Sequence, residues 1–350
     1  MASLRIHIGM PKTATSLIQA VLVGMRDCFA AQGAWIPATT LACHRLAVEA
    51  TPVGSGLHQR PDFLHIKSAI GLDEAFKQCR PVTANAHTVI LSSEYFSESD
   101  PRLLKALLES SGMSREDVTI IAVLRRQDRI LVSGFNQDVK ALNRTKPFAP
   151  FAAMTERHDW YARLQPWAEE FGKQAIKVQV FDRLAAEKES ITCRLLDACG
   201  VRHDAKLVRE REERNGKWEN RSLPTELLAF KLFADRVTRP GDLDWLMDEA
   251  LARGMGGLPF GLDASTVHKI IEHYRPSNRR VAAEYLGEAG DLFDSNVEEG
   301  AALPLAVSLE TLCKLLAICA AELSKRRGPA SVPTAEPETL MASPDSGETP

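Results

Sequence analysis

The chain is poor in several things that would have narrowed its role at once. No stretch of eighteen residues is apolar and free of charge; the nearest, Ala301 to Leu323, carries Glu310 and Lys314 and is expected to be a core helix rather than a membrane span. Aromatic residues make up only 6%, so no platform for stacking sugars or bases is visible. The seven cysteines, at 28, 43, 79, 193, 199, 313 and 319, form no CxxC pair and no Cys/His cluster with metal-ligand spacing, so no metal site is expected. Their odd number suits reduced thiols better than a disulfide framework. With no charged-then-apolar leader, the sequence predicts a cytoplasmic protein, with peripheral attachment to the inner membrane left open. Positive charge is not in excess: the formal net charge is −3, which excludes a polycation built for nucleic acid. Internal repeats are absent.

What the 350 residues do contain is an ordinary globular composition, 45% hydrophobic and 25% charged. Strands are expected at Leu4–Ile8, Thr88–Ser92, Val118–Leu124 and Ile176–Phe181. The runs "TVILSS" and "VTIIAVL" are almost continuously apolar and β-branched, as in parallel strands covered on both faces. Helical patterns lie between them, at Thr15–Gln32, Pro101–Ser111, Asp128–Asn143 and Ala186–Cys199. This alternation predicts an α/β fold with a central parallel sheet and right-handed crossovers. After about residue 220 only helical spacing remains, with starts expected near Ser222-Pro224-Glu226 and at Asp263. One domain is expected over residues 1–327, an α/β core to about 215 and a helical portion from 216. The last 23 residues hold four acids and no Lys or Arg, and are expected to be a disordered tail.

The segment "RIHIGMPKTATSL", Arg5 to Leu17, reads as strand, tight turn and helix. Such a turn aims the free N–H groups of the helix at the carboxyl edge of the sheet, where they and the helix dipole attract an anion. Gly9 lets the chain bend, Pro11 fixes one dihedral, Lys12 adds charge, and Thr13, Thr15 and Ser16 add hydroxyl donors. Lys12-Thr13 matches the end of a Walker A loop, but Pro11 stands where that motif has glycine. Gly9 is also only three residues before the lysine, too close for the usual wrap around a β/γ-phosphate. A second segment, "VLRRQDRILVSGFNQDVK", puts Arg125 at the end of the strongest strand and Ser133 eight residues on, about two helical turns into the next element. Arginine and serine so placed can converge on a second phosphate.

Together the two segments resemble the sulfotransferases that use 3′-phosphoadenosine 5′-phosphosulfate (PAPS). "PKTATS" is similar to that family's loop, with Ala14 in place of glycine, and the Arg125–Ser133 spacing matches its second signature; the acid between them, Asp128, is one place off register. The resemblance covers residues 5–20 and 118–140 well. It implies a P-loop-like three-layer fold in which Lys12, Thr13, Ala14, Thr15 and Ser16 cradle the 5′-phosphosulfate. It further implies that Arg125 and Ser133 hold the 3′-phosphate and that sulfuryl transfer proceeds in line without a metal. If Ala14 must take positive φ, it costs roughly 1 kcal/mol.

For the base that accepts the proton of the incoming hydroxyl, two candidates are expected. Glu94, at the end of "TVILSSE", belongs to the same sheet edge; His44, in "LACHRLAVEA", is the other. Lys217 and Trp218, in the charged run Val208 to Leu223, are expected to touch the 3′-phosphate and adenine if that run closes over the cofactor. The acceptor implied by the resemblance is a hydroxyl of a glycan or glycolipid. Two other readings stay open: a P-loop kinase or NTPase, weakened because the third strand ends in Arg125-Arg126 rather than acids that hold Mg²⁺, and a nucleotide- or glycan-binding protein without catalysis.

Overall fold

The structure, a computed structural model, describes residues 3–81, 86–113, 117–142, 144–216, 222–239, 241–255, 257–296 and 305–327. Among them, five strands form one parallel sheet: β1 Ser3–His7, β2 Ala34–Trp35, β3 Thr88–Ser92, β4 Val118–Leu124 and β5 Ile176–Val180, in the order β2-β3-β1-β4-β5. The fold is α/β, as expected. Alternation along β4 explains its unbroken apolar run: Ile120, Ala122 and Leu124 enter one core, Ile121 and Val123 the other, and helices cover both. β1 adds Leu4 and Ile6 to the first core, and the first helix, Thr15–Gly24, adds Ile18, Val21 and Leu22 to the second.

β1 is the centre of the sheet. The chain runs from it to β2 and β3 on one side, then crosses to β4 and β5 on the other, so the crevice at its carboxyl end is the point where strand order reverses. The chain beyond β1 does not leave the sheet at once. The Ile8 and Met10 amides donate to the Ile121 and Val123 carbonyls at 3.0 and 2.9 Å, and the Val123 amide donates to the Gly9 carbonyl at 2.7 Å. The turn carrying Lys12 is thereby pinned to β4.

Some elements depart from expectation. The first helix stops at Gly24, and Met25, with φ −116°, separates it from a short helix at Arg26–Ala30. Of the expected Ala186–Cys199 helix, Ile191–Cys199 is helical; Ala186 ends a separate helix, Phe181–Ala186, and Lys188 between them has positive φ. Asp263 caps the helix Ala264–Val281 by accepting from the Thr266 amide at 2.9 Å, as expected. The start placed at Ser222 lies instead at Thr225, without a side-chain cap, and Glu226 accepts from Ser308 and Thr311 of a later segment. Helices Thr225–Ala234, Asp244–Ala252 and Leu309–Arg327 pack through Leu227, Leu246 and Leu315 onto Phe135 and Val139 of the long helix Gln127–Leu142. No helix among the described residues is long and apolar enough to cross a membrane.

Candidate functional site

At the carboxyl edge of the sheet lies a cleft of about 760 Å³, the size of a nucleotide-scale ligand site. Each strand end supplies a part. Lys12, Ala14, Thr15 and Ser16 follow β1, Glu94 follows β3, Arg125 ends the run from β4 and Phe181 follows β5; Ser133 comes from the long helix Gln127–Leu142. The early lysine turn and the later arginine–serine pair therefore line one cavity. Its outer wall is Pro259 to Leu262 and Val267. That wall was not foreseen. It is held by an antiparallel bridge between Pro224 and Pro259 and by the Thr225 amide donating to the Leu258 carbonyl at 3.0 Å. The side-chain amide of buried Asn136 in turn pairs with both backbone groups of Leu223, at 2.8 and 2.9 Å.

The lysine turn is conformationally unusual. Gly9, Lys12 and Ala14 have φ of 84°, 66° and 60°. Gly9 is required by a close approach: a Cβ there would stand 3.0 Å from the Glu94 Cα. Ala14 is the residue before the first helical position and does take the left-handed conformation. The Thr13 hydroxyl donates to the Met10 carbonyl at 2.5 Å and is fully buried, so it ties the turn together and does not line the cleft. The helix that follows has no acid in its first turn, which leaves its first N–H groups and positive dipole end without a carboxylate from that turn.

Several donors at the cleft lack partners. Thr15, only 5% exposed, has a hydroxyl with no hydrogen-bond partner, and Arg125 Nε is likewise buried and unpaired. Burial holds the Lys12 ammonium below its ordinary 10.5, against the opposing pull of Asp138 and Glu94. Arg125 is not wholly free: Nη1 donates to the Lys12 carbonyl at 2.8 Å, and the guanidinium lies 5.0 Å from the centre of the Phe181 ring. It thus supports the turn as well as facing the cleft. Asp128, off register in the sequence, is engaged elsewhere. It makes a two-pronged pair with Arg126 at 2.7 and 3.0 Å, and Arg126 also donates to the Asp294 and Asn296 carbonyls. Arg129 pairs with Asp182 at 2.7 Å. The lining holds five cationic side chains, Lys12, Arg125, Arg126, Arg129 and Lys140, against two carboxylates, Glu94 and Asp128. In a protein of net charge −3 this is a local reversal of sign.

Glu94 lines the cleft, and its Oε2 accepts from Gln19 of the first helix at 3.3 Å. His44, on the helix Leu41–Glu49, does not line it. Its Nδ1 meets the Ser93 hydroxyl at 2.7 Å and its ring stands edge-on to Tyr95 at 5.1 Å. Burial pushes the imidazole below its ordinary 6.5, and the charge of Glu94 pulls the other way. The expected contacts of Lys217 and Trp218 lie outside the described residues.

No family model matches the chain. Over 181 residues the sequence is 28% identical to an uncharacterized protein of Archaeoglobus fulgidus, a match covering 48% of this chain and 46% of that protein; the chain thus spans about half the length of that relative. Among solved structures, a sulfotransferase from Alicyclobacillus acidocaldarius is similar with a TM-score of 0.41 and 15% identity, over 67% of this chain and 95% of that one.

Proposed function

We propose that this chain is a PAPS-dependent sulfotransferase acting on a hydroxyl, of a glycan or glycolipid in the reading carried from the sequence. The observation that carries it is the set of donors gathered at one sheet edge: the buried, unpaired Thr15 hydroxyl and Arg125 Nε, together with the Lys12 ammonium and the amino end of the helix Thr15–Gly24, which no side chain caps. A buried donor without a partner is costly, so such a set is expected where an anion completes it. The residues present fit a doubly phosphorylated nucleoside. Lys12, Thr15, Ser16 and the turn amides suit the 5′ end, while Arg125 and Ser133 suit the 3′-phosphate. PAPS, when bound, supplies the sulfuryl group.

What the chain's own residues do follows from their placement. Lys12 and the helix amino end stabilise negative charge growing on the departing phosphate oxygen. Glu94, on the cleft wall, accepts the proton of the acceptor hydroxyl; its place in the lining favours it over His44. The test is transfer of label from sulfur-labelled PAPS to a panel of cell-surface glycans and glycolipids. Transfer should occur without Mg²⁺ and fall about 100- to 1,000-fold in Lys12→Met. Stabilisation by Mg²⁺-ATP alone would point to a kinase, and nucleotide binding with no turnover on any acceptor to a binding protein.

A further inference from the structure

Glu94 opens a short 3-10 turn, Glu94–Glu98, and that turn is fastened at both ends. At its start the Ser93 hydroxyl accepts from the Tyr95 amide at 3.1 Å and meets His44. Inside it the Ser97 hydroxyl donates to the Glu94 carbonyl at 2.7 Å. Its far end is held by a remote element, the helix Trp160–Phe171 and the turn before it. Arg163 of that helix donates to the Ser97 carbonyl and lies 3.4 Å from Glu98 Oε2, while Arg157 pairs with Glu98 Oε1. The Glu98 side chain is only 9% exposed. The same helix reaches the neighbouring strand end too, since Trp160 Nε1 donates to the Arg125 carbonyl at 3.0 Å. Because β1 lies between β3 and β4, this one helix braces the strand ends on both sides of the lysine turn.

Apolar packing already docks that helix, through Trp160, Leu164 and Trp167. A shielded Arg–Glu pair adds little net stability over apolar side chains of the same volume, but it adds direction. We propose that Arg163, oriented by Glu98, is a positioning residue for Glu94: it fixes the turn so that the Glu94 carboxylate faces the cleft. The role of Glu94 as base rests on the function proposed above; its positioning does not.

The experiment follows the His44 ring by NMR titration in the full-length protein. The charged group that acts on that ring is Glu94, and the ring's direct contacts are Ser93 and Tyr95. Glu94→Gln should lower the His44 midpoint, because it removes the charge that favours the imidazolium. Arg163→Met should lower it in the same sense, because a loosened turn takes the carboxylate away. Loss of a nearby positive charge alone would raise the midpoint, so the sign separates the two effects. Arg157→Met, which removes a charge from Glu98 but no bond to the Ser97 carbonyl, should not lower it. Arg163→Lys, which keeps the charge and the fold if the methionine variant unfolds, should show a smaller decrease. An unchanged or raised midpoint in a folded Arg163 variant overturns the proposal, as does an equal decrease in Arg157→Met. In the transfer assay Arg163→Met should cut kcat about 10- to 100-fold with KM for PAPS held, and an undiminished kcat also overturns it. If the unaltered protein transfers no label to any acceptor, the functional reading fails while the titration still decides the positioning.

Discussion

Lys12 and Ala14 hold positive φ without being glycine, and each pays roughly 1–2 kcal/mol for it. Strain of this kind clusters where a backbone must face a ligand. Ala14→Gly should therefore stabilise the fold by about 0.5–1 kcal/mol, measured by urea denaturation; a loss would show that the methyl group's packing beside the first helix outweighs the strain. Lys12 carries a pH prediction. Its charged form binds an anion, and burial holds its pKa below the ordinary 10.5. Affinity for adenosine 3′,5′-bisphosphate should thus be full at neutral pH and decline on the alkaline side before an ordinary lysine would titrate. In Lys12→Arg calorimetry should find that decline gone. At this scale the sequence was informative in kind but not in direction. Lys12, Thr15, Arg125 and Ser133 were legible as donors, and the Ala14 departure pointed to the strained position. That the Thr13 hydroxyl turns inward to Met10, and that Arg125 spends one nitrogen on Lys12, depends on rotamers that no local pattern fixes.

Elements with their own hydrophobic signal were readable, and those defined by their neighbours were not. β3 and β4 match the expected ranges because burial on both faces writes an unbroken apolar run. Ala34–Trp35 is a strand only because it pairs with Thr88 and Val89, and two residues carry no period. The break at Met25 is a single-residue dihedral change, and the one around Lys188 spans the four residues between Ala186 and Ile191; both fall in sequence with good helical spacing. Between helices Thr225–Ala234 and Asp244–Ala252 lies a buried charge, Lys231, fully shielded and 3.1 Å from both Asp235 and Asp244. Lys231→Ala leaves the shielded Asp235 carboxylate uncompensated and should cost about 3–5 kcal/mol. Lys231→Met combined with Asp235→Leu should recover most of that. Thermal denaturation of the two variants measures the difference, and equal losses would mean that the site matters for volume rather than charge.

Across the whole molecule, a net charge of −3 coexists with a cleft whose lining is predominantly cationic. Bisphosphate nucleotide at 100 times its dissociation constant should contribute about 2.7 kcal/mol and raise Tm by roughly 5 °C with no Mg²⁺ present. The rise should shrink with added salt, because salt screens the cationic side chains that line the open cleft. The fold class was legible from the alternation of strand and helix, and the floor of the cleft from two motifs. The outer wall was hidden, since nothing near Pro259 or Phe260 in the sequence marks them as neighbours of Lys12. The parts of this cavity are thus contributed by the first twenty residues, by the middle of the chain and by residues beyond 258. Without Pro259 to Leu262 and Val267 the cleft would keep its charged floor yet lack the side that encloses a ligand. Enclosure of the ligand thus depends on the late segment, whereas the charge comes from Lys12 on the early turn and from four side chains of residues 125–140.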